Sequence, residues 1–281
     1  MHAPVDPRVM EVHDKSIFWG SHHAIEGFLM TTRATRERRL SAAWDHAITQ
    51  THPIFWPVRK FGRYFAESEQ FPNVNEIDNV LARHARVRFR EQVRVPKRSR
   101  HKTTTTPYDA SILAGEVPTR DGSWHDFMNA LVWAAFPTSK RVLHEQQHSF
   151  VAAERATGEP GRRFPAHDAL AVLDEGGVIV VSPEALDDSR TADDAIASGA
   201  ARALVFGHAI YEAIAIGGPW PIVRAVCLQV GRGVDDEALV SASDCALANY
   251  LRSAQRPTRP QDLPCISLAA VATLNAPNSH V

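Results

Sequence analysis

Cysteine is scarce. The 281 residues hold three, Cys227, Cys245 and Cys265, and none forms a Cys-x-x-Cys pair. Three thiols cannot all pair, which argues against a disulfide framework and against a four-cysteine zinc site. Long apolar runs are missing. None reaches the roughly eighteen residues of a membrane helix; the nearest, 204–218, is interrupted by His208 and Glu212. No membrane partner is expected. The first fifteen residues lack the basic-then-apolar order of a signal peptide, so a cytoplasmic location is expected. A glycine-rich phosphate loop and a nucleophile elbow are also lacking, since Gly231-Arg-Gly233 is too short for a dinucleotide fingerprint.

What is present describes a soluble globule. Hydrophobic residues make up 44% and charged residues 22%, far from the composition of a disordered chain. The length suits one large domain or two small ones, with a core that needs no disulfide staples. The net charge of −1 hides segregation. Residues 83–102 carry nine Lys or Arg against the single Glu91, a net of +8. Such a block can track the phosphates of RNA, DNA or another polyanion. It can equally be a solvated edge strand with a basic loop, because Arg86 to Arg90 alternates charged and apolar residues.

Periodicity predicts an α+β fold, mostly helical, with a single core and a few short strands. Helices are expected over 35–50, from an Asn75 cap to His84, after Pro107, from Pro137, within 203–216 (with a strand open at its start) and over 236–253. A strand is expected near 225–230. A β-hairpin is expected near residues 169–182, where two apolar runs flank Gly176-Gly177, a pair suited to the positive φ angles of a turn. The chain divides into a mixed N-terminal segment 1–74, a main domain 75–253, and a proline-rich linker with tail 254–281.

Four motifs resemble those of a bacterial family, the domain of unknown function 3025 (DUF3025). They are Pro118-Thr-Arg-Asp121 followed by His125-Asp-Phe-Met-Asn-Ala-Leu-Val-Trp133; Phe136-Pro-Thr-Ser-Lys140; Leu173-Asp-Glu-Gly-Gly177; and Phe206-Gly-His-Ala-Ile-Tyr-Glu212. Their order is kept over about 107–216. The resemblance implies no reaction, because none is attached to the family.

Several residues could carry chemistry. Ser123 and Asp126 form a capping-box pattern, Ser123 accepting the Asp126 amide and Asp126 reaching back to the cap. His125 would then sit at a helix N-terminus, where the dipole lowers its pKa and makes it a base or a ligand. His125 and Asn129, four apart, share a face. His208 and Glu212 repeat that spacing on an apolar helix. They are either a mutually satisfied buried pair or two ligands for zinc, iron or manganese. The leading reading packs these two helices together. It takes His125, His208 and Glu212 as ligands of a divalent metal such as zinc, with Asp126 beside them and hydrolysis as the chemistry.

A second reading rests on His144-Glu-Gln-Gln-His148, the H-E-x-x-H pattern of zincin metallopeptidases. There His144 and His148 would hold zinc, Glu154 or Glu212 would complete the set, and Glu145 would take a proton from bound water. A polyanion-binding module and a purely structural protein remain alternatives. The partner is a small molecule or peptide in the enzymatic readings. Asp174 and Glu175 are read as turn residues, with Asp174 able to point into a site.

Overall fold

A computed structural model describes residues 42–92, 108–157, 164–186, 189–218, 223–231 and 235–267. Its helices are α1 (Ile48–Thr51), α2 (Arg59–Gly62), α3 (Val74–Ala85), α4 (Tyr108–Leu113), α5 (Trp124–Ala135), α6 (Pro137–Thr157), α7 (Pro165–Gly176), α8 (Ser189–Ala197), α9 (His208–Ala215) and α10 (Asp236–Arg252). The strands are β1 (Arg88–Glu91), β2 (Glu116–Thr119), β3 (Gly177–Ser182), β4 (Arg202–Val205) and β5 (Arg224–Gln229). The protein is α+β and mostly helical, with two small sheets. β1 pairs with β2 in parallel, and β3 lies between antiparallel β4 and parallel β5.

All six residues of β3 are buried. A strand covered on both faces has no use for alternation, which is why Val178-Ile-Val-Val181 reads as an unbroken apolar run. α5 is the central helix. Ten of its twelve residues are buried, and it packs against α3 on one side and α9 on another. α6 contacts α4, α7 and α10. Ile54 and Phe55 before α3, and Leu263 and Ile266 after α10, join the same core.

The hairpin expected near 169–182 is not formed. Residues 165–176 are helix α7, and only the second half is a strand. Pro165 opens the helix at its first turn with Asp168 close behind. Ala169, Leu170, Leu173 and Gly176 then bury one helical face. Gly177 is extended, with φ −79° and ψ 142°. It is needed for space: a Cβ there would stand 2.2 Å from the Leu173 carbonyl oxygen.

Two boundaries also move. The expected helix 35–50 begins only at Ile48 among the described residues, and residues 35–41 lie outside them. Trp44 is instead held in irregular backbone. Its indole stacks on Trp124 at 5.0 Å and donates to the Ser68 carbonyl at 2.7 Å. The cap of α3 is Asn73, two residues before the expected Asn75. Asn73 accepts the Glu76 amide while Glu76 accepts the Asn73 amide, a complete capping box.

α6 starts without a side-chain cap of its own. Asp244 on α10 serves instead, accepting the amides of Thr138 at 3.1 Å and Ser139 at 2.7 Å. Asp244 is buried, so its removal strands two amides away from water. Asp244→Ala is expected to lower unfolding free energy by about 1–2 kcal/mol. A urea titration checks this; an unchanged midpoint would refute the cross-helix cap.

Candidate metal centre

Three helix ends meet at one place: the start of α5, the start of α9 and the last turn of α7. Ser123 caps α5 as expected, accepting the Asp126 amide at 3.3 Å. Asp126 does not reach back to the cap. Its carboxylate accepts the Arg120 amide at 2.7 Å and the Arg120 guanidinium at 2.7 and 2.8 Å. A bidentate guanidinium outcompetes a neutral amide for a carboxylate, so Asp126 fixes the turn into α5.

His125, one residue earlier, meets α9. Its Nδ1 donates to Glu212 Oε2 at 2.9 Å, and its Nε2 lies 3.0 Å from His208 Nε2. The two histidines, 83 residues apart, are thus in direct contact. His208 opens α9 and its Nδ1 donates to the Asp174 backbone carbonyl at 2.8 Å. That carbonyl is one of the last four of α7, which have no partner within the helix. Glu175, next in sequence, places Oε2 3.5 Å from His208 Nε2. Among the described residues, His125, Glu175 and His208 form a group whose ligand atoms all lie within 4.8 Å of one another.

The hydrogen bonds determine the tautomers. A backbone carbonyl only accepts, so His208 carries its proton on Nδ1. Glu212 accepts as a carboxylate, so His125 also carries a proton on Nδ1. Two neutral rings would then point Nε2 lone pairs at each other across 3.0 Å, beside the Glu175 carboxylate. Such an arrangement requires a cation between the groups, either a proton or a metal ion.

Electrostatics agrees. Burial pushes the His125 imidazole down, but the Glu212 hydrogen bond and the charges of Glu175, Glu212 and Asp126 outweigh it, and the net shift is upward. The downward shift expected from the helix dipole is therefore reversed, because full carboxylate charges exceed the half-charge of a helix end. Burial, then the charge of His125, holds His208 well below its ordinary value. Burial raises Glu175, with Asp174 and Glu212 pushing the same way and His125 and Lys140 only partly offsetting them.

A buried polar layer lies behind this group. Lys140, wholly buried on α6, donates to Asn129 Oδ1 at 2.8 Å and to the Asp174 carboxylate. Burial alone would raise the Asp174 carboxyl, yet Lys140, His144 and His208 hold it well below the usual carboxylate range. Sequence reading missed Lys140 and gave Glu175 only a turn role. The available signal was their place in the motifs: His125, Asn129, Lys140, Asp174, Glu175, His208 and Glu212 come from all four motif segments and gather here.

The H-E-x-x-H helix behaves differently. It lies within α6 as expected. His144 is buried, stacked on Trp133 with ring centroids 5.6 Å apart, and its Nε2 is 3.9 Å from Asp174 Oδ2. Glu145 is exposed and accepts from Arg141 Nε at 2.8 Å. His148 is half-buried. The side chain of Glu154 lies outside what is described. Among the described residues these two histidines belong to no group of three ligands. His148→Ala is therefore expected to leave metal content unchanged, as judged by elemental analysis of the purified variant. Loss of metal would restore the zincin reading.

Part of the basic block is visible. Arg88 and Arg90 pair with Asp78, and Arg90 also with Glu116. Residues 93–102 lie outside the described residues. No helix among the described residues is long and apolar enough to cross a membrane.

A family model described as "Protein of unknown function (DUF3025)" matches residues 87–281, more than half of the chain. No curated protein and no solved structure matches. The chain belongs to the DUF3025 family.

Proposed function

We propose that this member of the DUF3025 family is a metal-dependent hydrolase whose divalent ion is held by His125 Nε2, His208 Nε2 and Glu175 Oε2. The observation that carries the reading is the contact of two imidazole Nε2 atoms at 3.0 Å with a carboxylate oxygen 3.5 Å from one of them. Two ligand atoms about 2.1 Å from one ion stand about 3.0 Å apart at a right angle and about 3.4 Å apart at the tetrahedral angle. Both spacings suit a single ion.

The surrounding bonds support it. Ligating histidines characteristically donate their other ring N–H to a carboxylate or a backbone carbonyl. His125 does the first through Glu212, and His208 the second through Asp174. Glu212 therefore orients a ligand and is not one, which revises the set expected from sequence. Three protein ligands suit a catalytic site, because they leave a coordination position open. The side chains of His125 and Glu175 are 22% and 23% exposed, so solvent reaches that side. An ion held there would supply Lewis acidity and a water acidified to near neutral pKa, the chemistry of ester, phosphoester or peptide hydrolysis.

The test is metal analysis of protein purified without a histidine tag. About one equivalent of zinc, manganese or iron is expected, with a lower melting temperature in chelator. Less than about a tenth of an equivalent after metal supplementation, with unchanged melting in chelator, would overturn the proposal.

A further inference from the structure

We infer that Lys140 is the positioning residue of this centre: its buried ammonium ties α5, α6 and α7 together and so sets the tautomer of His208 and the aim of Glu175. The inference deepens the metal reading and rests on it for its effect on metal affinity.

The ammonium sits where the helices converge. It bonds Asn129 on α5, one helical turn beyond His125, and Asp174 on α7, the neighbour of Glu175. The ring centroids of Trp133 and Phe206 lie 5.5 and 5.9 Å from the same nitrogen, near enough for the aromatic faces to favour a cation. Lys140 touches none of the three ligands. It acts through Asp174, which presents two groups to two places. The carboxylate is clamped by Lys140, and the backbone carbonyl accepts the proton on His208 Nδ1. Clamping the first holds the peptide that carries the second, and the following residue delivers Glu175.

Stability does not account for a lysine here. A buried ion pair is often no better than apolar residues of the same volume, and the surrounding core is apolar. Position does account for it. The last turn of a helix frays unless its carbonyls are engaged, and this turn supplies one ligand and one orienting carbonyl.

The test uses the full chain and the variant Lys140→Met/Asp174→Asn, which removes both charges and nearly preserves volume. The melting temperature reports folding. Imidazole nitrogen resonances of metal-free protein report the His208 tautomer, and titration with Co²⁺ alone, followed by visible absorption, reports the centre. Wild-type protein is expected to show His208 protonated on Nδ1 and to bind one Co²⁺. The double variant is expected to melt near wild type, to show a mixture of His208 tautomers, and to bind Co²⁺ about 10- to 100-fold more weakly with an altered spectrum.

A folded double variant with wild-type resonances overturns the positioning role. Altered resonances together with a wild-type protein that binds no Co²⁺ would keep the positioning role and overturn the metal reading. If the double variant does not fold, Asn129→Ala carries the test, because it removes one partner of the ammonium and leaves no charge unpaired. A shifted His208 resonance and a roughly 2- to 10-fold weakening are expected; a folded protein unchanged in both overturns the inference.

Discussion

Glu175→Ala is expected to abolish stoichiometric metal binding, while Glu212→Gln weakens it and leaves it measurable. Both glutamates touch the histidine pair, and both lie within the buried or half-buried region of the centre. Their roles differ by which nitrogen they meet. Glu212 meets Nδ1 of His125, the nitrogen that holds a proton, and so can only orient the ring. Glu175 approaches Nε2 of His208, on the side where both lone pairs converge. Loss of an orienting partner characteristically costs about 10- to 100-fold in affinity, and loss of a ligand from a set of three costs more than that.

Glutamine at 212 keeps an acceptor for His125 Nδ1–H, so the lower end of that range is expected. Titration of each variant with Zn²⁺ in a calorimeter measures the contrast. Binding lost with Glu212→Gln and kept with Glu175→Ala would reverse the assignment and restore Glu212 as a ligand.

The reason Glu175 escaped sequence reading is specific. The stretch Leu170-Ala-Val-Leu-Asp can be read at period two or at period 3.6, and the glycine pair that follows favours the turn reading. On a hairpin, Asp174 and Glu175 would cap a tight turn in solvent. On a helix they occupy its last turn, where carbonyls lack partners and a histidine from another element can supply one. A single error of period thus concealed the proposed ligand Glu175 and the Asp174 carbonyl that meets His208.

Other parts were legible because they depend on one helix at a time. Four-residue spacing put His208 and Glu212 on one face of a helix, and both meet His125. The contact between the two helices is tertiary, and the strong apolar character of both stretches was the only hint of it. The H-E-x-x-H motif shows the converse. Its spacing is regular, but His144 is buried against Trp133 of α5, a tertiary contact that no local pattern reveals.

Gly207→Ala is expected to destabilise the protein by about 1–3 kcal/mol and to weaken metal binding along with it. The backbone there is ordinary, with φ −71° and ψ 113°, a conformation any residue adopts. On conformational grounds alone, alanine would stabilise by about 0.4–1 kcal/mol, because it restricts the unfolded chain. Space decides the sign instead. A Cβ at 207 would stand 2.4 Å from the Gly177 amide nitrogen and 2.5 Å from the Glu175 carbonyl oxygen. Both are backbone atoms, and neither can swing aside like a flexible side chain.

The start of α9 must therefore move away from the end of α7. Gly207 and Phe206 also donate their amides to the Gly177 carbonyl, at 2.8 and 2.9 Å, and these bonds lengthen with the same movement. His208 is carried with its helix, away from both the Asp174 carbonyl and the Glu175 carboxylate. Urea unfolding and Co²⁺ titration on one preparation separate the two effects. A stabilised variant would show that the close approach is not required, and a destabilised variant with full metal affinity would show that the centre does not depend on the junction of α7 and α9.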